Sequence, residues 1–109
     1  MPPKSIPARE KQEVEQIVER FNQSDLKKTN CCYIPRYRGR YLYLDRESFS
    51  NISQICRLTY TGKMDDWEFS IFKYSSEKYD PDEWFFPGSE FVNGTIEGAM
   101  KAGMEAYPG

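Results

Sequence analysis

Apolar residues recur along this chain in two rhythms, and the change of rhythm marks its elements. Val14, Ile17, Val18 and Phe21 are spaced i, i+3, i+4 and i+7, the stripe of an amphipathic helix, while Glu10, Lys11, Glu13, Glu15, Glu19 and Arg20 fill the opposite face. Ser5 is placed to cap this helix, and Pro7 suits its first turn, where a missing N–H has no partner to lose. The helix is expected from Ile6 or Pro7 to Asn22, with residues 1–5 outside the ordered fold. From residue 31 the period becomes two. Cys32, Ile34 and Arg36 alternate with Tyr33, Pro35 and Tyr37. Arg38-Gly39 follows, then Arg40-Tyr41-Leu42-Tyr43-Leu44-Asp45, a hairpin pattern with Gly39 in its turn. Pro35 cannot donate to a ladder, so the first strand is expected at a sheet edge. Leu42 and Leu44 are assigned to the core face and Tyr41 and Tyr43 to the other.

Residues 46–53 read as a polar loop. A third strand covers 54–60, with Cys56, Leu58 and Tyr60 on one face and Ile55, Arg57 and Thr59 on the other. Residues 61–66 are a turn. A fourth strand covers 67–74, with Trp67, Phe69 and Ile71 alternating against Glu68, Ser70 and Phe72. Residues 75–94 carry no regular pattern; their length and their Trp84, Phe85, Phe86 and Phe91 suggest an ordered lid, with Trp84 buried and Asp82 and Glu83 near solvent. A last helix is expected from Thr95, which can cap it, with Gly98 and Gly103 allowing close packing on the sheet. The predicted fold class is α+β: an N-terminal helix, a four-stranded antiparallel meander, a long ordered loop and a C-terminal helix. Both helices cover one sheet face in a two-layer sandwich. The 109 residues make a single domain.

The composition removes several chemistries. There is no histidine, so Ser-His-Asp and Cys-His catalysis and histidine-bearing zinc sites are impossible within one chain. Cys31, Cys32 and Cys56 are odd in number, two are adjacent, and none lies in a C-x-x-C; they read as reduced thiols acting as small buried hydrophobes. The N-terminus lacks the apolar run of a signal peptide, and no stretch nears the ~20 apolar residues that span a bilayer. These features lead to an expectation of a cytoplasmic protein with no membrane contact.

Charge is unevenly spread. The whole chain carries −2, yet residues 31–62 hold five Arg and two acids, net +3, and residues 63–109 hold four Lys and ten acids, net −6. In the basic half, Arg36, Arg38, Arg40 and Arg57 are interleaved with Tyr41 and Tyr43. Arginine binds phosphate bidentately and tyrosine stacks on bases, while the same residues also serve as solubilising strand formers. In the acidic half, Asp80-Pro81-Asp82-Glu83 matches no calcium loop and reads as turn chemistry. No metal site and no cofactor are expected. Tyr79 and Trp84 would line any pocket beneath the loop.

Tyr37-Arg38-Gly39-Arg40-Tyr41-Leu42-Tyr43-Leu44, Ile55-Cys56-Arg57-Leu58, Tyr60-Thr61-Gly62, Tyr79-Asp80-Pro81-Asp82-Glu83-Trp84-Phe85-Phe86-Pro87-Gly88 and Gly94-Thr95-Ile96-Glu97-Gly98 together resemble a group of small uncharacterised prokaryotic proteins over residues 33–108. The resemblance implies a compact stand-alone domain and no particular substrate, cofactor or catalytic residue.

Three functional readings follow. The first is a non-catalytic binding or adaptor module for a protein partner, acting through the exposed sheet face or the aromatic loop 75–94. The second is RNA or single-stranded nucleic-acid binding through the Arg/Tyr hairpin. The third is a small enzyme or ligand-binding protein with a pocket under that loop; no nucleophile paired with a base supports catalysis. The candidate binding residues are Arg36, Arg38, Arg40, Tyr41, Tyr43, Arg57, Tyr79 and Trp84. Sequence leaves the oligomeric state open.

Overall fold

The computed structural model describes residues 3–108. The order of elements is α1 (Ala8–Ser24), β1 (Cys31–Arg38), β2 (Tyr41–Ser48), β3 (Asn51–Thr59), β4 (Glu68–Lys73), β5 (Lys78–Asp80), a 3-10 turn at Ser89–Phe91, and α2 (Ile96–Ala106). The sheet is an antiparallel meander ordered β1-β2-β3-β4-β5. It has five strands where the sequence pattern gave four. The extra strand lies inside the segment read as irregular: the turn after Lys73 brings Lys78–Asp80 back against Ile71–Lys73. Three residues are too few for an alternation to show.

Both helices lie on one face of the sheet, and Tyr33 of β1 meets both. Its ring packs edge-on to Phe21 of α1 at 5.9 Å, and its hydroxyl donates to the Met100 carbonyl of α2 at 2.7 Å. Val14, Val18 and Phe21 are buried from α1, and Leu42, Leu44, Leu58, Phe69 and Ile71 from the sheet, as their spacing predicts. Ile17 is partly buried at the margin. α1 starts one turn position later than expected. Its cap is Pro7, which offers no side-chain hydrogen bond, so Ser5 does not cap it. Ile6, just before, is buried, and its N–H donates to the Gly39 carbonyl at 3.2 Å. Of the N-terminal stretch 1–5, residues 1 and 2 lie outside the described residues. Thr95 does cap α2, accepting from the Gly98 N–H at 3.0 Å.

Gly103 allows the close approach to the sheet that the sequence suggested, whereas Gly98 instead makes room for the segment that precedes α2. A Cβ at Gly103 would lie 2.5 Å from the Tyr33 hydroxyl and 2.6 Å from Ile55 Cγ2, and one at Gly98 would collide with the Phe91 carbonyl. Arg46 is only 6% exposed and faces the helices. Its guanidinium donates to the Tyr107 carbonyl and reaches Met104 Sδ. The carbonyl-rich C-terminal end of α2 thus takes the place of a counter-carboxylate.

Two sequence assignments in the sheet need correction. Residues 46–53 are not a loop: β2 and β3 run on to a two-residue turn at Phe49-Ser50, both with positive φ (51° and 68°), the I′ class of hairpin turn. Asn51–Gln54 are all exposed, because this end of the hairpin extends past the helices, and a strand solvated on both faces has no apolar period. Second, the β2–β3 register shifts between Leu44 and Asp45: Leu44 pairs with Cys56, but Asp45 pairs with Gln54. Ile55 is the extra residue. The bulge turns it toward Gly103 instead of leaving it on the face of Arg57.

Candidate functional site: the uncovered sheet face

The helices cover one face of the sheet and leave the other open. Strand alternation sends Arg36 and Arg38 from β1, Tyr41 and Tyr43 from β2, Arg57 from β3, and Glu68 and Ser70 from β4 to that open face, where all but Glu68 pair with one another across the ladders, while the intervening Leu42, Leu44, Leu58 and Phe69 point the other way. The β1–β2 turn brings Arg40 alongside. Here Gly39, with φ of 60°, takes the first turn position, as a II′ hairpin requires.

On this face arginines and tyrosines interleave. The Arg36 guanidinium lies 4.3 Å from the Tyr43 ring centre. The Arg57 guanidinium sits between two rings, 4.5 Å from Tyr41 and 5.5 Å from Tyr79. Arg40 lies 5.8 Å from Tyr41. Tyr79 of β5 pairs with Phe72 of β4, packs edge-on to its ring at 5.0 Å and meets the Tyr43 ring at 5.3 Å, and Gln54 Nε2 donates to its hydroxyl at 3.2 Å. Contacts of this kind stabilise by about 0.5–1 kcal/mol when exposed and more when dry. Their structural effect is to hold long, otherwise mobile guanidinium groups flat and in place.

The charges on this face are not all spent internally. Arg36 is paired: its Nε donates to Asp45 Oδ2 at 2.9 Å, and that hydrogen bond raises its pKa further. Arg38 is exposed. Arg57 Nε is buried and has no hydrogen-bond partner among the described residues, which is costly for a charged donor. Burial, above all, pushes the Tyr79 phenol above its ordinary pKa, with Asp45 adding to the effect, so it is a neutral hydroxyl at physiological pH.

The open face carries two clefts that share Arg40 and Tyr41. The larger, about 760 Å³, is lined by Lys4, Arg38, Gly39, Arg40, Tyr41 and Tyr43 near the β1–β2 turn. The smaller, about 440 Å³, opens where the loop after β5 meets the sheet, with Arg57, Glu68 and Ser70 on one side and Pro81 and Trp84 on the other. Together they form a groove bordered by Lys4, Arg38, Arg40 and Arg57 against a single carboxylate, Glu68.

All eight candidate residues therefore border one surface. Trp84 differs from expectation: it is 47% exposed instead of buried. One side of its ring is supported by Phe69 (6.3 Å) and Phe86 (6.4 Å), and the remainder borders the cleft. The acids of the loop serve the turn. Asp80 accepts from the Asp82 N–H at 2.9 Å. Glu83 accepts from Lys73 Nζ and from the Phe85 N–H, both at 2.9 Å, and the lysine holds its carboxyl below the ordinary glutamate range. Asp82 is exposed, and Glu83 is half-buried by this pairing. Sequence reasoning passed over Lys4, Glu68, Ser70 and Thr59. The alternation of β4 already set Glu68 and Ser70 opposite the core, so that signal was available.

Cys31, Cys32 and Cys56 are free thiols, away from this surface or beneath it, and burial raises the Cys56 pKa strongly. Among the described residues no group of three or more cysteine or acidic side chains is placed to hold a metal ion, and no helix is long and apolar enough to cross a membrane. Comparison with protein-family models, curated protein sequences and solved structures finds no match to this chain.

Proposed function

We propose that this protein is a non-catalytic binding module that takes an extended, single-stranded nucleic acid along the sheet face its helices leave uncovered. The observation that carries the reading is the groove in which Lys4, Arg38, Arg40 and Arg57 meet tyrosine rings, with a buried Arg57 donor left unpaired. A positively charged groove that tracks a backbone, combined with aromatic side chains, is the common plan of single-strand binders. Guanidiniums pre-set by stacking lose less freedom on binding than free ones.

Tyrosine and arginine are also common in protein interfaces; what favours a phosphate chain here is the gathering of four cations around one carboxylate. The chain's net charge of −2 is no obstacle, because the acids concentrate outside the groove.

The test is fluorescence anisotropy of a labelled mixed-sequence 12-mer, RNA and single-stranded DNA in turn. Four groove cations predict a log–log salt slope of about −2.8, so affinity should fall about 50-fold from 50 to 200 mM salt. Arg38→Ala should make the slope shallower by about 0.7. No binding at 50 mM salt would overturn the reading. Capture of a protein partner that depends on Tyr41 or Tyr43 would then favour the adaptor.

A further inference from the structure

The smaller cleft has two unlike walls. One is apolar: Trp84 and Pro81, with the Trp84 ring propped by Phe69 and Phe86 and half open to solvent. The other is polar: Arg57, whose Nε lacks a partner, and the exposed carboxylate of Glu68, with Ser70 and Thr59 between them. At about 440 Å³ it lies in the usual range for a small-molecule site, roughly 300–1,000 Å³. It is also the right size for one nucleotide and too small for two.

We infer that this cleft is a single-base subsite: Trp84 stacks the base, Arg57 holds the adjoining phosphate or a base acceptor, and Glu68 selects a base that carries an amino group. The inference rests on the single-strand reading above. The selectivity follows from donor and acceptor chemistry. A carboxylate only accepts hydrogen bonds. Cytosine presents the N4 amino group to it, the pairing by which Asp and Glu read that base. Thymine and uracil present the O4 carbonyl at that position, which repels the carboxylate, and their one donor, N3–H, is flanked by two carbonyl oxygens, so the pairing is weaker. Stacking on Trp84 tolerates every base, and Arg57 makes no such distinction among phosphates. Glu68 is therefore the discriminating residue, and it is the sole carboxylate lining either cleft. The wider cleft beyond Arg40, with Lys4 and Arg38, would carry the neighbouring backbone without reading it.

The experiment compares (dC)12 with (dT)12, two pyrimidine oligomers of similar size and little self-structure, using the full chain at 50 mM salt. The expected result is (dC)12 tighter by about tenfold, with quenching of tryptophan emission on binding. Glu68→Gln, an exposed and isosteric change, should bring the two within about twofold, chiefly by improving (dT)12, because glutamine offers both a donor and an acceptor. Trp84→Phe keeps a ring against Phe69 and should preserve the order of affinities while cutting the quenching to the small part that Trp67, 3% exposed on the floor of the same cleft, contributes. Equal affinity of the wild type for both oligomers, with a steep salt dependence intact, would overturn the subsite and leave the single-strand reading standing. Quenching as strong in Trp84→Phe as in the wild type would overturn the stacking. CMP binding as tightly as (dC)12 would overturn the strand subsite in favour of a free nucleotide. Absence of binding to either oligomer would overturn both readings.

Discussion

Phe69 links the core to the candidate site, and truncating it tests both. It lies in β4 opposite Leu58, is 6% exposed, and meets Phe86 at 5.8 Å and Trp84 at 6.3 Å. Burial of a phenylalanine at such a position makes Phe→Ala cost about 3–5 kcal/mol. The lower end is expected here, because Trp84 is half exposed and free to settle into part of the space. About 3 kcal/mol is a large share of the 5–15 kcal/mol that holds a typical domain folded. At roughly 4 °C per kcal/mol for a chain of this length, the melting point should drop by about 12 °C. Phe69→Leu keeps most of the apolar area and loses the ring contacts, so its cost should be nearer 1–2 kcal/mol. Urea unfolding followed by far-UV circular dichroism gives the energies. Tryptophan emission should shift to the red in Phe69→Ala as Trp84 loses its support. A wild-type midpoint for Phe69→Ala would mean that the ring faces solvent and that β4 is paired one residue out of register. A one-residue slip exchanges the faces of a strand, so Ser70 and Glu68 would leave the cleft and the site described here would dissolve with the core.

Gly103→Ala gains helix propensity of about 1 kcal/mol, but its Cβ would press on Tyr33 and Ile55; a net loss of about 1–2 kcal/mol is expected by thermal melting, and a gain would mean that α2 stands off the sheet. Asn22→Ala removes the two hydrogen bonds that its amide makes to the Tyr33 N–H (2.8 Å) and C=O (3.0 Å); a cost of about 2 kcal/mol is expected in urea unfolding, and a change under 0.5 kcal/mol would refute the contact. Glu83 has a depressed pKa in the folded chain, so its contribution to holding the loop is present above the ordinary glutamate range and is lost as pH falls through its folded value. Trp84 emission should therefore change at a midpoint below that range, and Lys73→Met should move the midpoint up; a midpoint insensitive to Lys73 would sever the pair.

What the sequence made legible were the features written by local rules. The α1 stripe, the Gly39 hairpin, the faces of Leu42, Leu44, Leu58 and Phe69, and the Thr95 cap each depend on neighbours a few residues away. The features it concealed depend on partners distant in the chain. Ile55 reads as an outer-face residue by strict alternation. Its inward turn comes from the extra residue that β3 carries against Leu44 and Asp45. Asn51–Ser53 read as loop because they are exposed and so carry no apolar period. Tyr79 was set on a loop since β5 is too short to declare itself, and its contacts with Phe72 and Tyr43 follow from a strand pairing the sequence does not show. Trp84 was expected inside on the general habit of tryptophan, whereas its ring covers Phe69 on one side and borders a cleft on the other.

The edges of the sheet explain why the face is the surface left for recognition. Partner strands add to a sheet through unpaired edge groups. On β1 the backbone groups that point away from β2 belong, by alternation, to Cys31, Tyr33, Pro35 and Tyr37. The Cys31 N–H donates to Thr29 Oγ1 at 3.3 Å, the Tyr33 peptide is paired on both sides by Asn22, and Pro35 has no N–H. Three of the four positions are thus closed, and Tyr37 alone offers too little ladder to seat a strand. At the other edge β5 is three residues long and runs into Pro81, which ends donation there. With β1 closed and β5 short, strand addition is left only the Glu68–Ser70 stretch of β4 that β5 does not cover, three residues long. The residues left to meet a partner are the flat-held arginines and tyrosines of the open face, whose chemistry suits a chain of phosphates and bases better than a polypeptide strand.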